Sequence, residues 1–341
     1  MQDLDKSGYR KILLSFAEQL DDARRLAERL NIEQLKSIKS SLRQIVYCGM
    51  GGSAIAGDFL RTLMGPHCPI PITVLRDYGI PAHVGRDTLV ILSSYSGSTE
   101  ETLSSAQLAI ERGCFLVTLS TGGLLRERTK DHTLLHIELP NGYMPRQALA
   151  YPLIALYHVL ASLFEAPDID SAIDESVRLA EKEMQRLSRQ EFFKELLHPP
   201  LLNQPIVIYS SEQLFPAALR WKGQICENAK LLAFANTVPE VNHNEIMGWE
   251  AIVPASSSFG VILLRDPNDH PRVRKRFDFM SGFLKTRTRV FETEASGQSP
   301  LCRMVNLIQL GDWFSYHLAI ARGVDPSPIR SIGELKAFMS T

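Results

Sequence analysis

Long apolar runs are missing from this 341-residue chain: no stretch reaches the roughly 18–20 residues that span a bilayer. An excess of one charge is missing too. Thirty-seven Lys and Arg face 38 Asp and Glu, a formal net charge of −1, so nothing electrostatic points to DNA, RNA or an anionic membrane as partner. Cysteine is scarce: residues 48, 68, 114, 226 and 302 stand alone, with no C-x-x-C pair. That argues against a disulfide framework or a zinc ribbon and fits a reducing cytoplasm. His243-x-Glu245 is not H-E-x-x-H, and no other His, Cys, Asp and Glu set has metal spacing, so neither a metal nor a cofactor is expected. The N-terminus lacks the basic stub and apolar run of a signal peptide. It reads as one charged, amphipathic helix.

What is present is the composition of an ordinary globular protein, 45% hydrophobic and 22% charged, and long enough for two domains. Short apolar runs alternate with amphipathic stretches. Ile45–Cys48, Ile72–Leu75, Leu89–Leu92, Phe115–Leu119 and Leu134–Leu139 read as strands, with helices over Ser53–Met64, Ser98–Arg112 and Gly123–Lys130. Helical stretches near Gln147–Phe164 and Ile169–Leu196 follow, and then the alternation resumes. Strands are expected at Pro205–Tyr209, Leu231–Phe234, Phe259–Leu264 and Arg289–Glu292, and helices at Glu212–Lys230, Arg272–Lys285 and Leu301–Arg322. Continuous apolar strands between helices indicate α/β domains, each a mainly parallel sheet flanked by helices. We expect two similar domains, residues 1–155 and 156–341. The last helix would start at a capping box formed by Ser331 and Glu334. The basic stretch from Arg272 to Arg289 has few aromatics and reads as a solvated helix face.

Two loops carry the chemistry. The first strand ends in Gly49-Met-Gly-Gly-Ser53, and glycines at a strand-to-helix turn let backbone N–H groups approach an anion. Gly49-x-Gly51-x-x-Ala54 also fits a dinucleotide fingerprint, with Asp77 where a ribose-binding acid would stand. The third strand runs into Ser93-Ser-Tyr-Ser-Gly-Ser-Thr99, five hydroxyl side chains within seven residues. Ser98 could cap the following helix, which explains one serine and not five. A phosphate monoester presents three terminal oxygens to such a cluster, whereas a dinucleotide fold has no need of it.

Gly51-Gly-Ser-Ala and Ser94-Tyr-Ser-Gly-Ser-Thr99 resemble the two phosphate loops of the SIS (sugar isomerase) fold. The blocks Pro145-Arg-Gln-Ala-Leu, Lys222-Gly-Gln-Ile-Cys-Glu-Asn, Pro239-Glu-Val-Asn-His-Asn-Glu-Ile and Asp312-Trp-Phe-Ser, in that order, narrow the match. Together they are similar to the bifunctional phosphoglucose/phosphomannose isomerases, a branch with two SIS domains, no metal and hexose 6-phosphate substrates. The resemblance implies that Gly52, Ser53, Ser94, Ser96 and Thr99 hold the sugar phosphate. It makes Glu227 the base that moves a proton between C1 and C2, although local sequence alone favours a surface ion pair with Lys230. It implies that His243 acts in ring opening from a neighbouring subunit, so that the site needs a homodimer. It gives Arg146 to the enediolate oxygens and Lys336, the one lysine of the tail, to ring opening. With Asn242 as cap, His243 would fall in the first turn of a helix, where the helix field disfavours imidazolium. Rival readings are an amino-sugar or pentose-phosphate isomerase on the same fold, or a non-catalytic sugar-phosphate sensor.

Overall fold

The computed structural model describes residues 4–166, 168–194, 197, 202–252 and 259–339. They form two compact units that interleave along the chain. One unit comprises Phe16–Arg178 and Ser299–Cys302, the other Met1–Ser15, Leu179–Gln298 and Arg303–Thr341.

The first unit holds a five-stranded parallel sheet of β1 (Gln44–Gly49), β2 (Ile72–Leu75), β3 (Thr88–Ser93), β4 (Phe115–Ser120) and β5 (Thr133–Glu138), in the order β2-β1-β3-β4-β5. All six residues of β3 are buried, as the continuous apolar run requires of a strand covered on both faces. Up to β5 the helices are α1 (Tyr9–Leu14), which falls in the other unit, and α2 (Phe16–Glu28), α3 (Glu33–Ile38), α4 (Gly51–Met64), α5 (Glu100–Glu111) and α6 (Gly123–Thr129). The helix α7 (Ala150–Phe164) is apolar on nearly every side and packs against α2 and α4, while α8 (Ile169–Leu187) follows it.

The second unit holds β6 (Ile206–Ser211), β7 (Ala233–Val238), β8 (Gly260–Arg265) and β9 (Arg289–Glu294), all parallel in the order β7-β6-β8-β9. Its helices include α9 (Phe215–Ala229), α10 (Pro271–Lys285), most of the buried α11 (Pro300–Ala321) and the tail helix α12 (Arg330–Met339). Taken in chain order within each sheet, both have the second strand outside the first and the third on its other side. Such an order creates a crevice where connections diverge from the first strand, and ligands of α/β sheets bind there, at the carboxyl ends. In the first sheet the crevice lies between β1 and β3, in the second between β6 and β8. Among the described residues, no helix is long and apolar enough to cross a membrane.

Several expected boundaries move. The opening helix breaks at Ser15, whose hydroxyl bonds the Ile12 carbonyl at 3.0 Å and competes with the helical ladder. The helix expected to run to Leu196 stops at Leu187, and residues 195 and 196 lie outside the described residues. Ser331 falls inside α12 and cannot cap it, because the Ile329 carbonyl already accepts the helical bond from Gly333 at 3.1 Å.

Candidate functional site

In the first sheet the loops after β1, β3, β4 and β5 are fastened to one another, chiefly through Tyr95. The Tyr95 backbone N–H donates to Ser53 Oγ at 3.2 Å, which joins the β3 loop to the β1 loop. Its phenol donates to the Pro140 carbonyl at 2.8 Å and accepts from Tyr143 N at 3.0 Å, which holds the loop leading to Arg146. Its carbonyl accepts from both Thr121 N and Thr121 Oγ1 at 2.9 Å, beyond β4. Tyr95 thus sets four chain segments from the middle of a hydroxyl-rich motif.

Gly97 turns the β3 loop at φ +67°, and a side chain there would bring Cβ to 1.9 Å from the Gly122 carbonyl oxygen. Only glycine satisfies both demands. Ser94, buried, lies 2.8 Å from Thr99 through their hydroxyl oxygens, and the Ser98 N–H donates to Ser96 Oγ at 3.3 Å. Ser98 is not the cap. Thr99 holds that position for α5, and its hydroxyl is turned to Ser94 instead of the helix. Hydroxyls of Ser53, Ser94 and Thr99 are therefore oriented by fixed partners, and each still carries donor or acceptor capacity for an added ligand. Asp77, at the exposed end of β2, accepts from the Tyr78 N–H at 2.7 Å.

Arg146 belongs to the same assembly. It lies in a single turn of 3-10 helix, Pro145–Gln147, and is 3% exposed. A Cβ on Gly52 would stand 3.0 Å from the Arg146 nitrogen and the Pro145 carbonyl. The loop after β1 and the turn bearing Arg146 therefore meet backbone to backbone. The crevice of the first sheet gathers Gly52, Ser53, Ser94, Ser96 and Thr99, the residues expected to hold phosphate, with Arg146, expected at the enediolate oxygens. A guanidinium keeps its charge at any working pH, so it stabilises an oxyanion without serving as an acid.

Glu227, His243 and Lys336 belong to the other unit. Glu227 is half-buried in the last turn of α9. The helix ends at Lys230, in the left-handed conformation at φ 53°, whose ammonium donates to the Glu227 carbonyl and, at 3.4 Å, to that of Pro326. The tail carrying Lys336 therefore starts beside the turn of Glu227. Lys336 itself sits on an exposed helix, together with exposed Ile332, Leu335, Phe338 and Met339.

His243 differs from its expectation. It is exposed and ends a 3-10 helix, Glu240–His243, so no first-turn helix field acts on it. The cap of the next turn, Glu245–Trp249, is Asn244 and not Asn242: its Oδ1 accepts from Glu245 N at 2.5 Å. Sequence reasoning missed what anchors this segment. Both carboxylate oxygens of Glu245 are bonded at 2.5 Å, one by Tyr209 Oη and the other by Asn236 Nδ2, and Trp249 Nε1 donates to Tyr209 at 2.9 Å. Burial, reinforced by that carboxylate, pushes the Tyr209 phenol far above its ordinary range. The available signal was Glu245 standing two residues beyond His243, in a block read for its helix start, its metal spacing and its resemblance, and not for a carboxylate anchor.

Chain topology separates Glu227 from His243. The helix α9 joins two adjacent parallel strands, so it runs from the carboxyl end of β6 back to the amino end of β7. Glu227 precedes the first residue of β7 by six positions, and His243 follows its last by five. The two stand toward opposite edges of one sheet, roughly 20 Å of strand apart.

The chain is similar to known proteins in sequence and in fold. A model for the bacterial phospho-glucose isomerase C-terminal SIS domain matches residues 199–339. The C-terminal domain of glucosamine-fructose-6-phosphate aminotransferase from Francisella tularensis superposes with a TM-score of 0.68 over 94% of this chain and 98% of that one; at 15% identity, this bears on the fold alone. A bifunctional phosphoglucose/phosphomannose isomerase of Aquifex aeolicus is 37% identical over 86% of this chain and 89% of its own. Another, from Caldicellulosiruptor bescii, is 37% identical over 94% of this chain and 95% of its own, so the chain belongs to the bifunctional phosphoglucose/phosphomannose isomerase family.

Proposed function

We propose that the protein interconverts glucose 6-phosphate and mannose 6-phosphate with fructose 6-phosphate through a cis-enediolate. The observation that carries this reading is the crevice between β1 and β3, where preset hydroxyls and the buried turn of Arg146 meet at Gly52. Ser53, Ser94, Ser96 and Thr99 take the phosphate oxygens, with Gly52 giving its backbone room. Glu227 removes the proton from C2 of the open aldose and returns it to C1, and the charge that builds on the two oxygens is balanced by Arg146. A single carboxylate serves both carbons because the intermediate is planar and both transfers occur on one face. Lys336 and His243 move protons between the ring oxygen and the anomeric hydroxyl when the ring opens. Opposite sheet edges for Glu227 and His243 support a site that takes its histidine from a second copy of the chain, and the exposed apolar face of α12 is consistent with such a homodimer.

The test is isomerisation of each hexose phosphate in deuterated water. Wild-type protein is expected to produce fructose 6-phosphate from both aldoses and to place deuterium at C1. Glu227→Gln should lose about 10³-fold in kcat while still binding substrate. Mixing inactive Glu227→Gln with inactive His243→Ala subunits should restore part of the activity, since a mixed dimer has one intact shared site. Turnover of glucosamine 6-phosphate or a pentose phosphate in place of hexose 6-phosphates would overturn the substrate reading; no recovery despite proven subunit exchange would overturn the shared site.

A further inference from the structure

Two sequence blocks about 90 residues apart prove to be halves of one buried polar frame. Arg220, Gln224 and Asn228 recur every four residues along one face of α9, and that face meets Asp312 and Ser315 of α11. Arg220 forms a two-pronged pair with Asp312, Nε to Oδ1 at 3.0 Å and the second nitrogen to Oδ2 at 2.6 Å. Gln224 Nε2 adds a bond to the same carboxylate at 2.9 Å. Asn228 Nδ2 donates twice, to Ser315 Oγ at 2.9 Å and to Tyr9 Oη at 3.0 Å, and the Ser315 hydroxyl donates to the Asp312 carbonyl at 2.8 Å. On the flank, Trp221 Nε1 donates to the Leu307 carbonyl at 2.7 Å. Every one of these side chains is buried, and Tyr9, Asn228 and Ser315 are wholly so.

Helices can be packed more cheaply than this. Replacing a buried ion pair by apolar residues of similar volume is often neutral or stabilising, so such a frame is poorly explained as a source of stability. What directional bonds supply is registry: rotation or sliding of α9 against α11 would break several at once. The residue next to Asn228 is Glu227, and the Lys230 ammonium donates to the Glu227 carbonyl. The turn carrying the carboxylate is therefore held both by the frame and by Lys230.

We propose that Asn228, with Arg220 and Gln224 as the rest of the frame, is a positioning residue that fixes the direction of Glu227 toward C1 and C2 of the sugar. This rests on the reading of Glu227 as the proton-transfer base. A carboxylate serving two adjacent carbons must keep the abstracted proton between them. A misdirected one still binds nothing less tightly, but it transfers more slowly and loses the proton to water.

The experiment uses the full-length protein with glucose 6-phosphate deuterated at C2. Asn228→Ala is expected to lower kcat about ten- to a hundredfold, with KM within about twofold of wild type, and to lower the fraction of deuterium carried from C2 to C1. Tyr9→Phe, which removes one of the two acceptors of Asn228, should show the same two changes to a lesser degree and serves if Asn228→Ala does not fold. A lowered melting temperature with unchanged kcat per folded molecule and unchanged deuterium retention, in whichever variant folds, would make the frame merely structural and overturn the proposal. If Glu227→Gln kept its activity, the reading of the base would fail instead, and the two failures are separable.

Discussion

In the first sheet, the strands flanking the crevice end in Gly49 and Ser93 and lead into hydroxyls, with Arg146 near by and no carboxylate among the residues gathered there. In the second sheet, the corresponding strands end in Ser211 and Arg265 and lead to Asp266 and Asp269, both buried. The Asp269 carboxylate accepts from the Asp266 N–H at 3.2 Å, and Arg303 Nε bonds Asp266 at 3.0 Å. Strand order is shared, but buried carboxylates follow β8 in the second sheet, and Arg303 is already paired with one of them. A phosphate dianion placed there would meet repulsion where the first crevice offers donors. One topology repeated in a chain need not repeat its site; the residues at the strand ends decide which crevice accepts the ligand.

The largest effect that would sharpen this contrast is on stability. Asp266→Ala leaves the buried Arg303 guanidinium without its carboxylate, and a loss of about 3–5 kcal/mol in unfolding free energy is expected. Chemical denaturation measures it, and kcat/KM per folded molecule should stay unchanged. A fall in kcat/KM without a fall in stability would tie the second crevice to catalysis and break the contrast.

Importing a carboxylate into the first crevice should have the opposite signature. Ser96→Asp, at an exposed position of the same loop, places a charge about 4 Å from the phosphate, which costs on the order of 3–4 kcal/mol near a protein surface. KM for fructose 6-phosphate should rise roughly 100- to 1000-fold, while the melting temperature changes little. A KM within threefold of wild type would mean that the phosphate binds elsewhere.

The smallest effect is a pH dependence. Burial pushes the Asp269 carboxyl above its ordinary value of 3.8, with Asp266 acting in the same direction. Below pH 3.8 the group is protonated in both the folded and unfolded states, and its favourable contribution to folding is complete. As pH rises through the raised folded value, that contribution is lost, because ionised Asp269 is less well accommodated when buried. Thermal unfolding of Asp269→Asn should therefore show the variant gaining slightly on wild type as pH rises above 3.8. A variant that instead loses ground over that window would show the carboxylate to be well satisfied in the fold.

Much of the fold was legible because β1, β3, β4, β6 and β8 are short, mostly apolar runs buried along nearly their whole length. Ser94, Ser96 and Thr99 stood out as candidates because five hydroxyls in seven residues exceed what one helix cap can use, and Ser53 because it follows the glycines of the β1 turn. What sequence could not supply were contacts closed by distant partners. Nothing local to Gly97 announces the Gly122 carbonyl, and nothing in Ser-Tyr-Ser tells that Tyr95 binds Pro140 and Tyr143. The cap at Asn244 and the break at Ser15 turn on competition between a side chain and the local backbone, where neighbouring residues of the same type were equally eligible. The pairing of Asn228 with Ser315 is the same case at longer range: both blocks were visible, and only the packing of two helices joins them.

The most direct measurement is a crystal structure with 5-phosphoarabinonate, a mimic of the enediolate. The phosphate is expected in the crevice between β1 and β3, within hydrogen-bond reach of Ser53, Ser94, Ser96 and Thr99, with the carboxylate end facing Arg146. A phosphate lodged between β6 and β8, or bound away from both sheets, would contradict the account.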